Sequence, residues 1–232
     1  ALTGSQDMQW FPATKFWEGN NPYLLFLASE NWFLSQAPNY LPGLYIVMYP
    51  MSFLEWESAK SIWASFNIIA VAAISFLLSK YFGIQKIKHI FLVFCVFSCS
   101  TPVRVSIGNG QQSLIVMLFL VIGITTAIKS SGIFKGGGYL KHSFAPPFVL
   151  LDIANKKFSL FVYSMLIPVI GFVTAAIFLK ASPIEIALQV LTVNKEAVAL
   201  GNGDLMTIIE MHKTAIPKIL FSFLFYGAPM LL

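Results

Sequence analysis

The first carboxylate of the chain is set among aromatic side chains. Asp7 lies in the stretch SQDMQW at residues 5–10, and the stretch FWEGNNPY at residues 16–23 follows closely. A carboxylate held in such surroundings can act as a general base that takes a proton from an attacking hydroxyl group. An ordinary helix cap or a solvated loop carboxylate is the alternative. We predict that Asp7 is the general base of an active-site loop.

Three cationic side chains could hold an anionic group opposite this base. A break is predicted at Thr101-Pro102, and Arg104 belongs to the polar, glycine-rich turn predicted after it, at residues 104–112. Lys141 and His142 stand together between apolar segments. Ionisable groups within or beside apolar spans are costly to bury, which makes them functional candidates. Arg104 equally fits a side chain that reaches out to lipid headgroups. We predict that these three cations surround a lipid phosphate.

A single carboxylate base limits the chemistry. One direct displacement at a sugar carbon needs one base and inverts that carbon, whereas glycosidases use two carboxylates. Gln111 and Asn21 are expected to shape the sugar pocket. Gln111 also fits a helix start, and Asn21 before Pro22 also fits a structural turn. Asp204, in a Gly-Asn-Gly-Asp sequence, fits a turn.

Composition places these residues in a membrane protein. The 232 residues are 57% hydrophobic and 11% charged, with 22 phenylalanines, whereas soluble domains carry about 25% charged residues. The net charge of +5 comes from lysines at the ends of apolar runs, which argues against a nucleic-acid surface. Cys95 and Cys99 are four residues apart in one apolar run. That spacing favours helix packing over a disulfide or a metal site.

Apolar runs predict the helices that must position the site. Four runs are long enough, or nearly so, to cross a bilayer: residues 61–79, 89–103, 113–128 and 158–179. Residues 41–54 contain Pro42, Gly43 and Pro50 and predict a broken or re-entrant helix. Residues 11–17 predict a short amphipathic helix on the membrane surface, within an aromatic-rich interfacial loop that covers residues 1–40.

The positive-inside rule predicts a hairpin at residues 132–157. A single crossing there would put Lys156 and Lys157 on the side opposite Lys86, Lys88 and Lys129, against that rule. A re-entrant hairpin removes the conflict, with breaks at residues 136–138 and 146–147 and a tip at residues 139–143. Irregular backbone at membrane depth must line a cavity or be buried in protein. We therefore expect Lys141 and His142 to face a cavity on the same side as Asp7.

The resulting organisation is one transmembrane catalytic module over residues 1–232. It comprises membrane helices over 41–180, an outer loop over 181–214 and the start of a further span over 215–232. We expect the chain to be a fragment, truncated at both ends, that lacks a first transmembrane helix and C-terminal helices. The fold class expected is all-α and polytopic.

Several short motifs of this chain resemble those of a known family. The resemblance rests on residues 6–10, residues 19–23, Tyr40-Leu41-Pro42 with Tyr49-Pro50, Gly110-Gln111 and residues 138–146, in that order. The pattern is similar to the polytopic glycosyltransferases of the GT-C superfold, and within them to the polyprenol-phosphate-mannose-dependent mannosyltransferases of the GT87 or DUF2029 group. This resemblance implies an acidic base in the first outer loop, matched by Asp7, and a polyprenyl-phosphate-sugar donor.

The sequence therefore predicts a membrane glycosyltransferase. It would transfer a sugar, mannose in our interpretation, from a polyprenyl phosphate to a hydroxyl of an extracytoplasmic lipid or glycan, with inversion. Membrane lipids, the lipid-linked sugar and the acceptor are the expected partners; no cofactor, metal ligand set or nucleic acid is expected. The site would face outward from a bacterial plasma membrane. A transporter or flippase for an anionic or lipid-linked substrate is the alternative, and it predicts charge near the middle of the membrane.

Overall fold

The structure, a computed structural model, describes residues 7–28, 32, 36–126 and 131–199. Every regular element within these ranges is a helix. The first four helices are short: α1 (Trp10–Trp17), α2 (Pro22–Ala28), α3 (Gly43–Val47) and α4 (Tyr49–Ser52). The later elements are α5 (Trp56–Tyr81), α6 (Ile87–Cys99), α7 (Thr101–Gly108), α8 (Ser113–Thr125), α9 (Ser131–Gly138), a 3-10 turn (His142–Phe144), α10 (Ala145–Ala154), α11 (Phe158–Leu179) and α12 (Pro183–Ala199).

Two of these helices are long and apolar enough to cross a membrane. Helix α5 has 26 residues and α11 has 22, and each contains an 18-residue stretch whose mean hydropathy is 2.0 in α5 and 2.2 in α11. At about 1.5 Å per residue both reach the ~30 Å of a bilayer hydrocarbon core. Helices α6 and α7 make a third span if the two cross together, with a bend of 65° between them. The all-α membrane fold predicted from composition is confirmed.

The bend between α6 and α7 has a local cause. Ser100 is extended, and Pro102 follows in the first turn of α7. A proline has no N–H to donate and its ring collides with the preceding turn, so it interrupts a helix that would otherwise continue. The break predicted at Thr101-Pro102 is therefore found. Arg104 and Gly108, predicted as part of a polar turn, belong instead to α7, and the turn is confined to residues 109–112.

Aromatic side chains hold the short helices against the spans. The Trp10 Nε1–H donates to the Leu54 carbonyl at 3.0 Å, and the Trp17 Nε1–H donates to the Tyr45 carbonyl at 2.8 Å. The Phe16 ring stacks on Phe178 at a centroid distance of 5.2 Å. These contacts tie α1 to the broken helix α3–α4, whose interruption was predicted, and to the last turn of α11.

The ends of the spans fall into two groups. The Trp63 Nε1–H near the start of α5 donates to the Gly110 carbonyl at 2.9 Å, and the end of α11 contacts α1 through Phe178. The start of α5 and the end of α11 are therefore at the same end of the molecule as α1. Lys80 and Lys157 stand at the opposite ends of these two helices. Lys60 and Lys180 lie at the same end as α1, so lysines flank both ends of these two helices.

The predicted hairpin exists, but its breaks are not where the glycines suggested. Gly136, Gly137 and Gly138 are helical residues of α9, and the chain turns at residues 139–141. Glycine is required there by close packing on both sides of α9. A Cβ on Gly136 would lie 2.4 Å from the Ser164 carbonyl oxygen of α11, and one on Gly138 would lie 2.3 Å from the Leu120 side chain of α8. The glycines therefore serve helix contact and not chain reversal.

A buried ion pair joins the two arms of the hairpin. Lys135 of α9 contacts Asp152 of α10, and the two side chains are each only 4% exposed. If α9 and α10 formed one straight helix, these residues would be about 25 Å apart. The contact therefore requires that the chain double back. The ion pair between Lys135 and Asp152 was not predicted from the sequence.

The predicted outer loop at residues 181–214 contains a helix. Residues 183–199 form α12, whose Ile186, Val190 and Val193 are buried. This spacing of four and three residues places one side of α12 against the protein. Asp204 and the span predicted over 215–232 lie outside the described residues.

Candidate functional site

The turn at residues 109–112 fixes the backbone of Asp7. The Asp7 N–H donates to the Asn109 carbonyl at 3.0 Å. With its amide oriented to satisfy both neighbours, the Gln112 side chain donates to the Asp7 carbonyl at 3.2 Å and accepts from the Gln9 N–H at 2.7 Å. Gln112 is fully buried. Asp7 is thus held on both sides of its Cα and is not part of a solvated tail.

The conformation of this turn explains its sequence. Gly110 has φ +68°, in the left-handed region that glycine enters without the cost a Cβ imposes. The Gly110 carbonyl is then free to accept from Trp63, and the Gln111 N–H donates to the Ser106 carbonyl at 2.9 Å. The Gln111 side chain lies near the Asp7 carboxyl group and lowers the pKa of that group. This confirms that the turn and Asp7 come together.

The hairpin tip brings Lys141 to the same place. The Leu41 N–H donates to the Leu140 carbonyl at 3.1 Å, which fixes the tip against the segment before α3. The Lys141 Nζ donates to the Ser113 Oγ at 2.7 Å, and it lies 5.5 Å from the Tyr40 ring centroid and 5.4 Å from the Phe144 ring centroid. Cations are attracted to the faces of aromatic rings. The two rings and the Ser113 hydroxyl therefore position this ammonium group.

A row of polar side chains runs from the cation to the carboxylate. Lys141 donates to Ser113, the Ser113 hydroxyl donates to the Gln111 Oε1 at 3.3 Å, and the Gln111 side chain lies near Asp7. Among the described residues, Asp7 and Lys141 form no direct ion pair. We call the four residues Asp7, Gln111, Ser113 and Lys141 the site chain. It links one carboxylate and one ammonium that are close enough to influence each other without neutralising each other by contact.

Burial sets the protonation of both ends of the site chain. Burial raises the pKa of the Asp7 carboxyl group, and the nearby Lys141 charge and the Gln111 hydrogen bond oppose that rise. Burial lowers the pKa of the Lys141 ammonium, and Asp7 opposes that fall. Burial and the Asp7 charge also raise the pKa of the Tyr40 hydroxyl well above its usual value. A carboxyl group with a raised pKa is a stronger base when ionised, as general base catalysis requires.

The structure places Arg104 and Asn21 away from the site chain, and His142 next to it. Arg104 is exposed on α7, and no described contact joins it to Asp7 or Lys141. Asn21 caps α2, since its Oδ1 accepts from the Tyr23 N–H at 3.0 Å, and its Nδ2 donates to the Gln189 Oε1 of α12 at 2.8 Å. His142 is exposed at the start of the 3-10 turn, directly after Lys141. Asn21 therefore acts as a structural link between helices.

Three members of the site's surroundings were not predicted as site residues. Ser113 was assigned only to the start of a span, Tyr40 to the interfacial aromatics and to the family pattern, and Phe144 was not named individually. A hydroxyl at the first residue of a span, directly after two glutamines, was a usable signal for Ser113. The position of the rings beside Lys141 depends on tertiary packing and left no local signal.

The anion-binding capacity of the site lies in Lys141. Within the described ranges, no group of three or more His, Cys, Asp or Glu side chains is arranged to hold a metal ion. The class that these features define is a helical membrane protein with a carboxylate and a cation held together at one end of its spans. The glycosyltransferase family 87 profile matches residues 39–213.

The chain belongs to glycosyltransferase family 87 and is a membrane glycosyltransferase, as the resemblance predicted. The matched range includes Tyr40, Gln111, Ser113 and Lys141, whereas Asp7 precedes it. Comparison with curated proteins and with solved structures gives no match.

Proposed function

We propose that this glycosyltransferase moves a mannosyl group from a polyprenyl phosphate to a hydroxyl of an extracytoplasmic lipid or glycan, with inversion at the sugar carbon. The observation that carries the proposal is the site chain, which sets a single carboxylate beside a single ammonium at one end of the membrane spans. That end is remote from the lysines at the other ends of α5 and α11. By the positive-inside rule it faces outward, across a bacterial plasma membrane in our proposal.

In this mechanism Asp7 is the base and Lys141 binds the leaving group. The acceptor oxygen attacks the anomeric carbon while its proton passes to an Asp7 carboxylate oxygen. The bond between the anomeric carbon and the phosphate oxygen breaks, and its electron pair leaves with the polyprenyl phosphate. Lys141 stabilises that phosphate through charge-assisted hydrogen bonds. His142, next to Lys141, is proposed to contact the same phosphate, and Gln111 to contact the sugar.

The separation between the two charged groups supports these roles. A carboxylate in direct contact with an ammonium would have less tendency to accept a proton, because the opposite charge stabilises its ionised form. In the site chain, Ser113 and Gln111 stand between the two groups. The base and the phosphate-binding group can therefore act on different atoms of the same reaction. Arg104, exposed on α7, is left out of this mechanism.

The test is transfer of radiolabelled mannose from polyprenyl-phosphate mannose to a membrane lipid extract by the purified full-length protein. Asp7→Asn preserves shape and removes the base, so we expect turnover to fall by about 10²- to 10⁴-fold. Glu18→Gln is the matched control, because Glu18 is an exposed carboxylate that pairs with Lys15. Nuclear magnetic resonance of the product should show the inverted anomer. Equal turnover in the wild type and Asp7→Asn would contradict the role of Asp7.

The pH profile gives a second readout of the same proposal. The base must be ionised, so turnover should rise with pH through a pKa above the usual aspartate value of 3.8. The phosphate-binding group must be protonated, so turnover should fall as pH rises through a pKa below the usual lysine value of 10.5. Residual activity of Asp7→Asn should lose the acidic limb only. An acidic limb that persists in this variant would assign it to another group.

Membership of the family favours the enzyme over the transporter considered above. The transporter alternative predicts charge near the middle of the membrane. The hairpin holds two buried charges away from the span ends, Lys135 and Asp152. They form an ion pair with each other. A paired, buried lysine and aspartate offer no free charge to a passing anion.

A further inference from the structure

Helix α12 has two apolar sides. Ile186, Val190 and Val193 are buried against the protein, whereas Ile184, Leu188 and Leu191 are 74%, 59% and 64% exposed. The exposed residues follow one another at intervals of four and three, so they form a stripe along one side of the helix. A surface helix of a soluble protein would carry polar residues at these positions. This stripe needs an apolar environment of its own.

Helix α2, which is bonded to α12, also carries exposed apolar residues. Leu24 and Leu27 of α2 are also exposed. The Asn21 Nδ2–H bond to the Gln189 Oε1, at 2.8 Å, fastens the start of α2 to the middle of α12. We call the exposed residues Leu24, Leu27, Ile184, Leu188 and Leu191 the α2–α12 face.

The position of this face along the chain identifies its environment. Span α11 ends at Leu179, Lys180 takes a left-handed conformation with φ +52°, and α12 starts at Pro183. Ile177, in the last turn of α11, is 75% exposed, and Val169 and Val173 of the same span are also exposed. The α2–α12 face is therefore continuous in sequence with a surface that lies in lipid. A helix that starts so close to the end of a span is at the level of the lipid headgroups.

The polar residues of α12 fit the same environment. At about 100° per residue, Glu185 and Thr192 fall roughly 60–100° away from the stripe, on its flank. Lys195 falls in line with the stripe at its far end and is exposed. A lysine in that position can bury its methylene groups in lipid and place its ammonium group among the headgroups. The arrangement is that of a helix lying in the plane of the interface.

We propose that the α2–α12 face rests on the headgroup boundary of the same bilayer that α5 and α11 cross. The occupant is lipid, and this proposal does not depend on the reaction assigned above. It has a consequence for the site, because the Tyr23 hydroxyl of α2 donates to the Tyr40 carbonyl at 3.0 Å, and the Tyr40 ring lies beside Lys141. The lipid-bound surface thereby sets the height of the site above the membrane.

Spin labelling of single cysteines tests the proposal. The full-length protein, with Cys95 and Cys99 replaced by serine, would be labelled at Leu188→Cys or at Thr192→Cys and placed in nanodiscs of phosphatidylcholine and phosphatidylglycerol. Collision with oxygen, which concentrates in lipid, and with a water-soluble nickel complex reports the environment of each label. We expect the label at residue 188 to be several-fold less accessible to nickel than the label at 192, and more accessible to oxygen. Leu191→Cys repeats the measurement if Leu188→Cys does not fold.

Two outcomes would overturn the proposal. Equal nickel accessibility at residues 188 and 192 would place the face in water. Low accessibility to both oxygen and nickel at 188 and 191 would mean that protein covers the face, from elsewhere in this chain or from a second copy.

Discussion

The hairpin contributes a lysine to each of two lysine–aspartate pairs, and the two pairs differ in geometry. Lys135 and Asp152 are in direct contact, and each side chain is 4% exposed. Lys141, at the tip of the same hairpin, is partly exposed and reaches Asp7 only through Ser113 and Gln111. We call the Lys135–Asp152 pair the closed pair, because its charged groups are in contact, and the Lys141–Asp7 pair the open pair, because other side chains separate its charged groups. Only the open pair retains charges that a substrate can use.

Charged side chains in a membrane protein can stabilise the fold or act on a substrate, and the two pairs illustrate these two roles. Burying a lone charge is costly, and a direct partner with good geometry offsets most of that cost. The closed pair therefore suits a role in holding α9 and α10 together. The open pair keeps a carboxyl group with a raised pKa and an ammonium with a lowered pKa, which favours proton transfer and anion binding over stability.

The closed pair should matter most for stability. Asp152→Asn leaves Lys135 as an uncompensated buried charge, and we expect the free energy of unfolding to fall by about 3–5 kcal/mol. The double variant Lys135→Met with Asp152→Leu replaces both charges by apolar groups and should recover most of that loss. Denaturant unfolding in one detergent checks both variants. If Asp152→Asn unfolds like the wild type, the pair is not the structural link described here.

The open pair should matter for substrate and little for stability. Lys141→Met removes a charged donor, and a hydrogen bond to a charged group contributes about 1.5–3 kcal/mol. We therefore expect the KM for polyprenyl-phosphate mannose to rise by about 10- to 150-fold, with a smaller change in unfolding than Asp152→Asn causes. Lys157→Met is the control, because Lys157 is exposed at the other end of the molecule. An unchanged KM in Lys141→Met would remove the distinction between the pairs.

The aromatic ring beside Lys141 should have the smallest effect of the three. A cation–π contact contributes about 0.5–2 kcal/mol, so Tyr40→Leu should raise the same KM by about 2- to 30-fold. Tyr40→Phe keeps the ring and should stay close to the wild type. Measuring kcat with KM distinguishes positioning of Lys141 from general damage to the buried Tyr40 region. Equal loss in the Phe and Leu variants would assign the effect to the hydroxyl group instead.

Much of the helical framework was predictable because membrane helices are determined locally. The span predicted at 158–179 coincides with α11, and the prolines and glycine at residues 42–50 marked the broken helix α3–α4. The lysines at the ends of the apolar runs predicted the hairpin, since charge and hydropathy act along the chain. The glycines at 136–138 were misinterpreted as a break, because a close helix contact and a chain reversal both call for glycine.

The membrane class and the family resemblance follow from the sequence alone, and the sequence predicted that Asp7, the turn with Arg104 and Gln111, the Lys141-His142 tip and the loop around Asp204 lie on one side of the membrane. Which polar groups meet depends on tertiary packing. In the folded chain Lys135 contacts Asp152, and Ser113 lies between Lys141 and Gln111. Asn21 donates to Gln189 of α12. The difference comes from separation along the chain. Hydropathy and backbone breaks depend on neighbouring residues, whereas a hydrogen bond between residues far apart in sequence depends on how the helices pack.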